Sequence, residues 1–138
     1  GYSSSGYMDM PINHKVFLAQ FDAIKKLANQ ESCIIVGRCA DYALEDYLHT
    51  YSVFIHASLE NRIKRIKRIY ELTDEKAKDI IVKTDKKRAS YYNYYSSKKW
   101  GDAKSYDLSV DSGILGIEGT VQLMEEFVKI KKQNYTFG

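Results

Sequence analysis

The stretch YSVFIHASLENRIKRI, residues 51–66, joins a strand pattern directly to a helix pattern. Residues 51–57 form an apolar run with branched side chains, and a run that is apolar on both faces is typical of a buried parallel strand. Ser58 is suited to cap a helix, and Ile63 and Ile66 give that helix an apolar side. A strand that passes into an amphipathic helix in this way is the unit from which α/β proteins are built.

The alternation of helices and strands continues on both sides of this stretch. Before it, a helix pattern leads into a second apolar run, SCIIVG, which also predicts a buried strand. After it, Thr73 is suited to cap a further helix. The predicted elements besides the helix after Ser58 are a loop over 1–13 that ends in the cap residue Asn13, helices over 14–29, 74–96 and 116–132, and strands over 32–37, 51–57 and 106–110. We therefore predict an α/β fold with a parallel sheet in a single domain.

Length and composition fit a globular domain. The chain has 138 residues, of which 44% are hydrophobic and 28% are charged, as is ordinary for globular proteins. The sequence contains no run of about 18 apolar residues and no signal peptide. Cys33 and Cys39 match no zinc spacing and are interpreted as reduced thiols. We expect a cytoplasmic protein with no membrane partner.

Positive charge is concentrated in the middle of the chain. Residues 58–104 contain 14 Lys and Arg and 7 Asp and Glu, so this segment carries +7 and the rest of the chain −4, which gives the net charge of +3. A basic segment either holds an anionic ligand or forms a solvated helical surface, and charge by itself favours neither. The small net charge gives no reason to expect a nucleic acid partner.

Residues that suit phosphate binding follow the first predicted strand. Gly37 lets the backbone turn sharply or approach a ligand. Arg38 offers a planar fork of donors that fits a phosphate, and Asp41 is suited to accept hydrogen bonds from a ribose or an amine. The alternative is a structural ion pair between Arg38 and Asp41 within a loop.

The helices of the basic segment carry three further candidate arginines. Arg62 and Arg65 are three residues apart and share a helix face. They either lie over an anion or an aromatic base, or they belong to a solvated basic surface. Arg88 falls on the apolar stripe of the helix over 74–96. Because an unpaired buried charge is costly, Arg88 needs a carboxylate, such as Asp85 at i−3, or an anionic ligand.

The run SYYNYYSSKKW, residues 90–100, interleaves aromatic and basic side chains. Such runs occur in platforms for single-stranded nucleic acid, but Tyr91, Tyr92 and Tyr95 also fit helix packing, which we favour. The three histidines have no spacing typical of a metal site or a catalytic triad. We therefore assign no residue as a metal ligand.

Three stretches taken together resemble a known family. They are IIVGRCADYAL (34–44), VFIHASLENRIKRI (53–66) and KTDKKRASYYNYYSSKKWGDAKSYDLSVDS (83–112). Their order is similar to that of the cytidylate kinase-like proteins, a branch of the P-loop nucleoside monophosphate kinases. The resemblance implies a three-layer P-loop NTPase-like parallel sheet flanked by helices. It also implies transfer of a phosphoryl group from ATP to a nucleoside monophosphate, cytidylate-like, or to a related small acceptor, with Mg²⁺ required.

The resemblance also implies roles for individual residues on the acceptor side. Arg38, presented by Gly37, would hold the phosphate of the acceptor nucleotide, and Asp41 would lie near its sugar or base. Cys39 stands where ordinary cytidylate kinases have Asp, so the resemblance does not identify the acceptor base.

The remaining roles that the resemblance implies lie on the donor side and in a lid. Arg62 would stack on the adenine of ATP. Arg65 and Arg88 would surround the phosphates as a lid-like region over about 73–104 closes. Asp85 would position Arg88 or another lid residue.

The phosphate loop of the family, G-x-x-x-x-G-K-[ST], has no match in this sequence. The opening GYSSSGYM has two glycines at the right spacing, but Tyr7 and Met8 stand where Lys and Ser or Thr belong. We expect an N-terminal segment, or another chain in a homo-oligomer, to supply a central strand between 32–37 and 51–57, and the 138 residues by themselves to be inactive. The alternative is a non-catalytic nucleotide- or RNA-binding module on a kinase frame.

Overall fold

The computed structural model describes the side chains of residues 14–134, so the predicted loop over 1–13 and its cap Asn13 lie outside them. The chain forms two compact units, residues 1–50 and residues 51–138. It is α/β and mostly helical, with a parallel sheet of two strands among the described residues. The prediction of an α/β fold with a parallel sheet is confirmed. No helix in the described part is long and apolar enough to cross a membrane.

The first unit consists of a long helix and a short one. Helix α1 (Tyr2–Gln30) includes the helix predicted over 14–29, and helix α2 (Ala40–Ala43) forms a single turn. The core of this unit is a small cluster in which α2 and the following residue pack against one face of α1. Its buried members are Ile24, Ala40, Ala43 and Leu44, and Phe21, Ala28, Ile35 and Tyr47 pack against them. Burial of these apolar side chains holds the two helices together.

The strand predicted over 32–37 is wrong. Residues 32–36 pair with no strand in the described part of the chain. Ile35 packs on the core of the first unit, whereas Ile34 and Val36 are 93% and 88% exposed. Cys33, which would share a face with Ile35 in a strand, is exposed as well, so the side chains do not alternate along the run. A strand also needs a neighbour for its backbone N–H and C=O groups, and no described residue supplies one.

The second unit is built on the predicted strand and helix pattern. In chain order it contains strand β1 (Val53–His56), helix α3 (Leu59–Tyr70), helix α4 (Asp74–Ser96), strand β2 (Leu108–Asp111) and helix α5 (Ser112–Phe137). The strands are parallel, with Val53 opposite Leu108 and His56 opposite Asp111. The predicted strands over 51–57 and 106–110 are confirmed with shorter bounds, although β1 is half-buried at its start and exposed at its end rather than fully buried.

Side-chain caps set the starts of α3 and α4. The Ser58 hydroxyl accepts a hydrogen bond from the Asn61 N–H at 3.2 Å, and the Thr73 hydroxyl accepts one from the Lys76 N–H at 3.3 Å. Both predicted caps are confirmed. Each satisfies a backbone donor that the first turn of a helix leaves without a partner.

Helix α5 contains the predicted helix over 116–132 and has a kink at its first predicted residue. Gly116 has φ 73° and ψ 172°, a conformation that favours glycine. The Thr120 hydroxyl donates to the Gly116 carbonyl at 2.7 Å, so this carbonyl keeps a partner at the kink. The short segment from Ser112 to the kink is thus set apart from the rest of α5.

An aromatic cluster fixes the end of α4 and the turn after it to β1. The Phe54 ring stacks on Tyr106 at 4.9 Å between centroids and meets Trp100 edge-on at 5.4 Å. Tyr92 is buried and stacks on Tyr106 at 6.0 Å. Packing is therefore the role of Tyr92, as favoured from the sequence, while Tyr94 is 58% exposed.

Candidate functional site

The candidate site lies where the two parallel strands end. Because β1 and β2 run in the same direction, His56 and Asp111 lie side by side at the carboxyl edge of the sheet. Ligands of α/β proteins bind beyond this edge. Asp111 Oδ1 accepts the Gly113 N–H at 2.9 Å, and the Ser112 hydroxyl donates to the His56 carbonyl at 3.4 Å. These two bonds tie the start of α5 to the edge.

Helices α3 and α4 form an antiparallel hairpin next to this edge. The Lys67 ammonium lies 2.5 Å from the Asp74 carboxylate, close to the turn that joins the helices. Farther from the turn, Arg62 in the first turn of α3 meets Asp85 in the middle of α4. Since α3 starts just after β1, the Arg62–Asp85 pair belongs to the carboxyl-edge end of the hairpin.

The pair between Arg62 and Asp85 uses both carboxylate oxygens. Nη1 of Arg62 donates to Oδ2 at 2.6 Å, and Nη2 donates to Oδ1 at 2.7 Å. The two side chains are 31% and 26% exposed. The hydrogen bonds to Asp85 raise the pKa of Arg62, and the negative charge of Asp85 raises it further. Burial acts in the opposite direction but is outweighed. Arg62 is therefore a fixed cation whose fork holds an anion in two-point geometry.

Arg65 and Arg88 lie on the same hairpin, and both side chains are exposed. No carboxylate of a described residue lies within 4.0 Å of either guanidinium. The expectation that Asp85 is the resting partner of Arg88 is wrong, because Asp85 binds Arg62. The two helices are antiparallel, so Arg88, three residues after Asp85 on α4, lies level with the first residue of α3. Helix α3 does not extend beyond this point and therefore does not cover the side of α4 that carries Arg88. The hairpin thus offers two cations without a carboxylate partner.

The residues predicted for the acceptor side belong to the first unit. Gly37, Arg38 and Cys39 have φ values of 72°, 59° and 56°, so three consecutive residues are left-handed. The Ala40 N–H donates to the Gly37 carbonyl at 3.2 Å and closes this turn. A left-handed conformation costs a non-glycine residue roughly 1–2 kcal/mol, and such strain is concentrated at functional sites. The strained turn directs attention to Arg38, as the sequence did.

Cys39 is buried in the first unit. Burial, with a further contribution from the Asp41 charge, raises the pKa of its thiol to about 11. The thiolate is the nucleophilic form of cysteine, so Cys39 is inert near neutral pH. Its buried position was not predicted from the sequence. The small residues Ala40 and Ala43, which follow Cys39, are the signal in the sequence for a packed turn.

The described residues contain no group of three or more His, Cys, Asp or Glu that could hold a metal ion. Mg²⁺ is commonly bound by one or two carboxylates together with the phosphates of a substrate and water.

A solved structure closely similar to this chain is the crystal structure of an uncharacterized protein from Eubacterium ventriosum ATCC 27560. The TM-score is 0.80 and the sequence identity is 31%. The match covers 83% of this chain and 65% of that chain, so the chain spans about 65% of the length of this neighbour. The likeness supports the α/β arrangement of the described residues.

Residues 1–114 match the family model of the cytidylate kinase-like family. The chain therefore belongs to the cytidylate kinase-like family, as the three sequence stretches predicted. No curated protein matches the chain.

Proposed function

We propose that this chain is part of a nucleotide kinase-like phosphotransferase that moves a phosphoryl group from ATP to a nucleoside monophosphate, cytidylate-like, or to a related small acceptor. The observation that carries the proposal is the set of arginines on the α3–α4 hairpin. Arg62 is fixed by a carboxylate, whereas Arg65 and Arg88 are exposed and have no carboxylate partner among the described residues. Membership of the cytidylate kinase-like family supports the same reaction class.

Phosphoryl transfer suits a site of this kind. The transferred group gathers negative charge on its oxygens, and catalysis depends on positioning and on cations rather than on a protein nucleophile. In the proposed reaction Arg65 and Arg88 surround the phosphates, Asp85 positions Arg88 or another lid residue, and Arg62 stacks on the adenine of the donor nucleotide. Arg38, Gly37 and Asp41 hold the acceptor.

The donor phosphates need a loop of backbone N–H groups and a lysine. The sequence contains no G-x-x-x-x-G-K-[ST], so the proposed reaction concerns a polypeptide that includes such a loop. The run over 32–36 supports this part of the proposal, because its apolar side chains Ile34 and Val36 are exposed and its backbone has no strand partner among the described residues. The three-layer P-loop fold that the resemblance implies requires such an additional strand.

ATP and Mg²⁺ are the proposed cofactors. When bound, Mg²⁺ supplies charge that neutralises the phosphate oxygens of the donor. In the proposed reaction Arg65 and Arg88 contribute cations near the same phosphates, so the metal and the arginines would act on one developing charge.

The proposal is tested by the rate of ADP formation. The full-length protein is incubated with ATP, Mg²⁺ and, in turn, CMP, dCMP, UMP and AMP. We expect turnover with at least one pyrimidine monophosphate, and a loss of about 100-fold in kcat/KM for Arg88→Ala, since one donor to a transition-state charge has this order of effect. Lys76→Ala is the matched control, because Lys76 lies on α4 on the side opposite to Asp85. Turnover that Arg88→Ala leaves unchanged contradicts the lid role.

A second candidate function is a non-catalytic nucleotide- or RNA-binding module. Exposed Tyr94 and exposed Lys86 and Lys87 on α4 favour it, because aromatic and basic side chains together bind single strands. Tight RNA binding that falls steeply with salt, in a full-length protein that binds no ATP, supports this candidate against the kinase.

A further inference from the structure

We propose that Asp85 is an internal competitor for the anion site of the hairpin: its carboxylate occupies the Arg62 fork until a phosphate group displaces it. This inference rests on the proposed function in one respect only, namely that the ligand carries phosphate, and it assigns a phosphate to the Arg62 fork in place of the adenine that the resemblance implies for Arg62. It assigns Asp85 a role in setting which anions bind, in addition to the positioning of lid arginines.

The geometry of the pair is the first support. Nη1 and Nη2 of Arg62 are both engaged by one carboxylate, at 2.6 Å and 2.7 Å. A phosphate binds the same two donors of an arginine with two of its oxygens. The Asp85 carboxylate therefore occupies the position that a phosphate takes, and the two anions cannot use the fork at the same time.

The exposure of the pair is the second support. Both side chains are more than a quarter exposed to solvent, so the attraction between them is screened and the carboxylate can be hydrated after displacement. Opening a fully buried pair would instead leave an uncompensated charge in the protein interior, which is strongly destabilising. The Arg62–Asp85 pair thus has the exposure that exchange with a dissolved anion requires.

The charge balance around the pair is the third support. Arg65 is one turn along α3 from Arg62, and Arg88 is one turn along α4 from Asp85, and neither has a carboxylate partner among the described residues. Asp85 offers a single negative charge to Arg62, whereas a di- or triphosphate carries several negative charges that can be shared among Arg62, Arg65 and Arg88. After displacement, Asp85 has Arg88 at i+3 on its own helix as a partner.

Competition by Asp85 makes the site selective. A monatomic anion such as chloride offers the fork one acceptor atom instead of two, and it has to compete with the two-point contact of the carboxylate. An anion with several oxygens and more than one charge replaces the carboxylate more effectively. Asp85 therefore favours polyphosphates over small inorganic anions, which abound in a cell.

The test measures the binding of inorganic tripolyphosphate and of ATP, both without metal, to the full-length protein by calorimetry at low salt. Removing the competing charge with Asp85→Asn is expected to tighten tripolyphosphate binding roughly fivefold, the equivalent of one exposed ion pair. Asp79→Asn is the matched control. Asp79 lies on the same helix, is exposed and pairs with Lys83, so it changes the net charge by the same amount away from the fork.

The expected result is a clear gain for Asp85→Asn, a change of less than about twofold for Asp79→Asn, and a loss for Arg62→Ala. Asp85→Glu, which keeps the charge, is expected to bind as weakly as the wild type. Unchanged or weaker binding by Asp85→Asn, with a circular dichroism spectrum that shows it folded, overturns the inference and leaves Asp85 a structural or positioning residue.

This experiment separates the inference from the proposed function. If Asp85→Asn binds tripolyphosphate more tightly while no acceptor is phosphorylated, Asp85 is a competitor in a binding protein and the kinase proposal fails. If phosphorylation occurs and Asp85→Asn gains no affinity, the kinase proposal stands and the competitor role is wrong.

Discussion

Ser52 and Asp107, the residues just before the two parallel strands, are joined by hydrogen bonds in both directions. The Ser52 N–H donates to Asp107 Oδ2 at 3.0 Å, and the Asp107 N–H donates to the Ser52 hydroxyl at 2.9 Å. The Lys131 ammonium of α5 also binds Asp107 Oδ2, at 2.6 Å. One carboxylate thus joins the starts of β1 and β2 to α5, at the edge of the sheet opposite to the candidate site.

Asp107 makes the stability of the second unit depend on pH. Burial by itself raises the pKa of Asp107, but the hydrogen bonds from Lys131 and Ser52 and the Lys131 charge outweigh it and hold the pKa below its ordinary value. The stabilisation is therefore complete above the pKa of the unfolded chain, about 4, and is lost as pH falls through the lower folded value. We expect Asp107→Ala to lower the free energy of unfolding by about 1 kcal/mol at pH 7.

Urea denaturation of the wild type and of Asp107→Ala at pH 7 and below pH 3 measures this effect. The difference between the two proteins should shrink in acid, where the wild-type carboxylate is protonated as well. A difference that is equally large at both pH values contradicts the assignment, because the lost contact would then not involve the charge.

Gly101 is required by the turn between α4 and β2. It has φ 82°, and a Cβ added there would lie 3.4 Å from the Phe54 ring. We expect Gly101→Ala to destabilise the protein by about 1–2 kcal/mol, the cost of a left-handed conformation for a residue with a side chain. Gly101→Asn should cost less, since asparagine adopts this conformation more readily. Thermal denaturation compares the variants, and equal losses for both would point to the ring contact instead.

The Tyr51 hydroxyl is buried and has no hydrogen-bond partner among the described residues, while its ring meets Phe127 edge-on at 6.1 Å. A buried polar group without a partner costs about 1–3 kcal/mol. Tyr51→Phe keeps the ring and removes this group, so we expect an unchanged or higher melting temperature. A clear drop in melting temperature would show that the hydroxyl is hydrogen-bonded in solution.

The two cysteines should differ in reactivity. Cys33 is exposed, whereas Cys39 is buried and the pKa of its thiol is about 11. At pH 8 only about one Cys39 thiol in a thousand is ionised, so iodoacetamide should label Cys33 first. Mass spectrometry of the folded and the urea-unfolded protein checks this. Early labelling of Cys39 in the folded protein contradicts the buried position, and Cys33→Ser isolates the signal of Cys39.

Features that depend on neighbours in sequence could be predicted. Thr73 followed by Asp74 and Glu75 set the start of α4, because caps and helix dipoles act within one turn. The end of α4 at Ser96 and the starts of the two parallel strands were predicted within about two residues, because the apolar patterns that mark them are also local.

Features that depend on distant partners could not be predicted. Asp85 was assigned to Arg88 because i−3 is the nearest position on its own helix, but packing of α3 against α4 brings Arg62 closer. The kink at Gly116 was missed because glycine inside an apolar helix pattern has no single outcome. The prediction of a strand over 32–37 was wrong because no described strand pairs with this run. The pattern of residues within the run does not show whether a partner strand exists.

The exposed run over 32–36 has a consequence for handling the protein. Within the described part of the chain, the backbone groups beside Ile34 and Val36 have no partner, so an extended chain can add a strand there, including a second copy of the same run. Concentrated samples are therefore prone to edge-to-edge aggregation that begins at this run. A lysine in place of Val36 gives the edge a charge of the kind that natural sheet proteins use to stay monomeric.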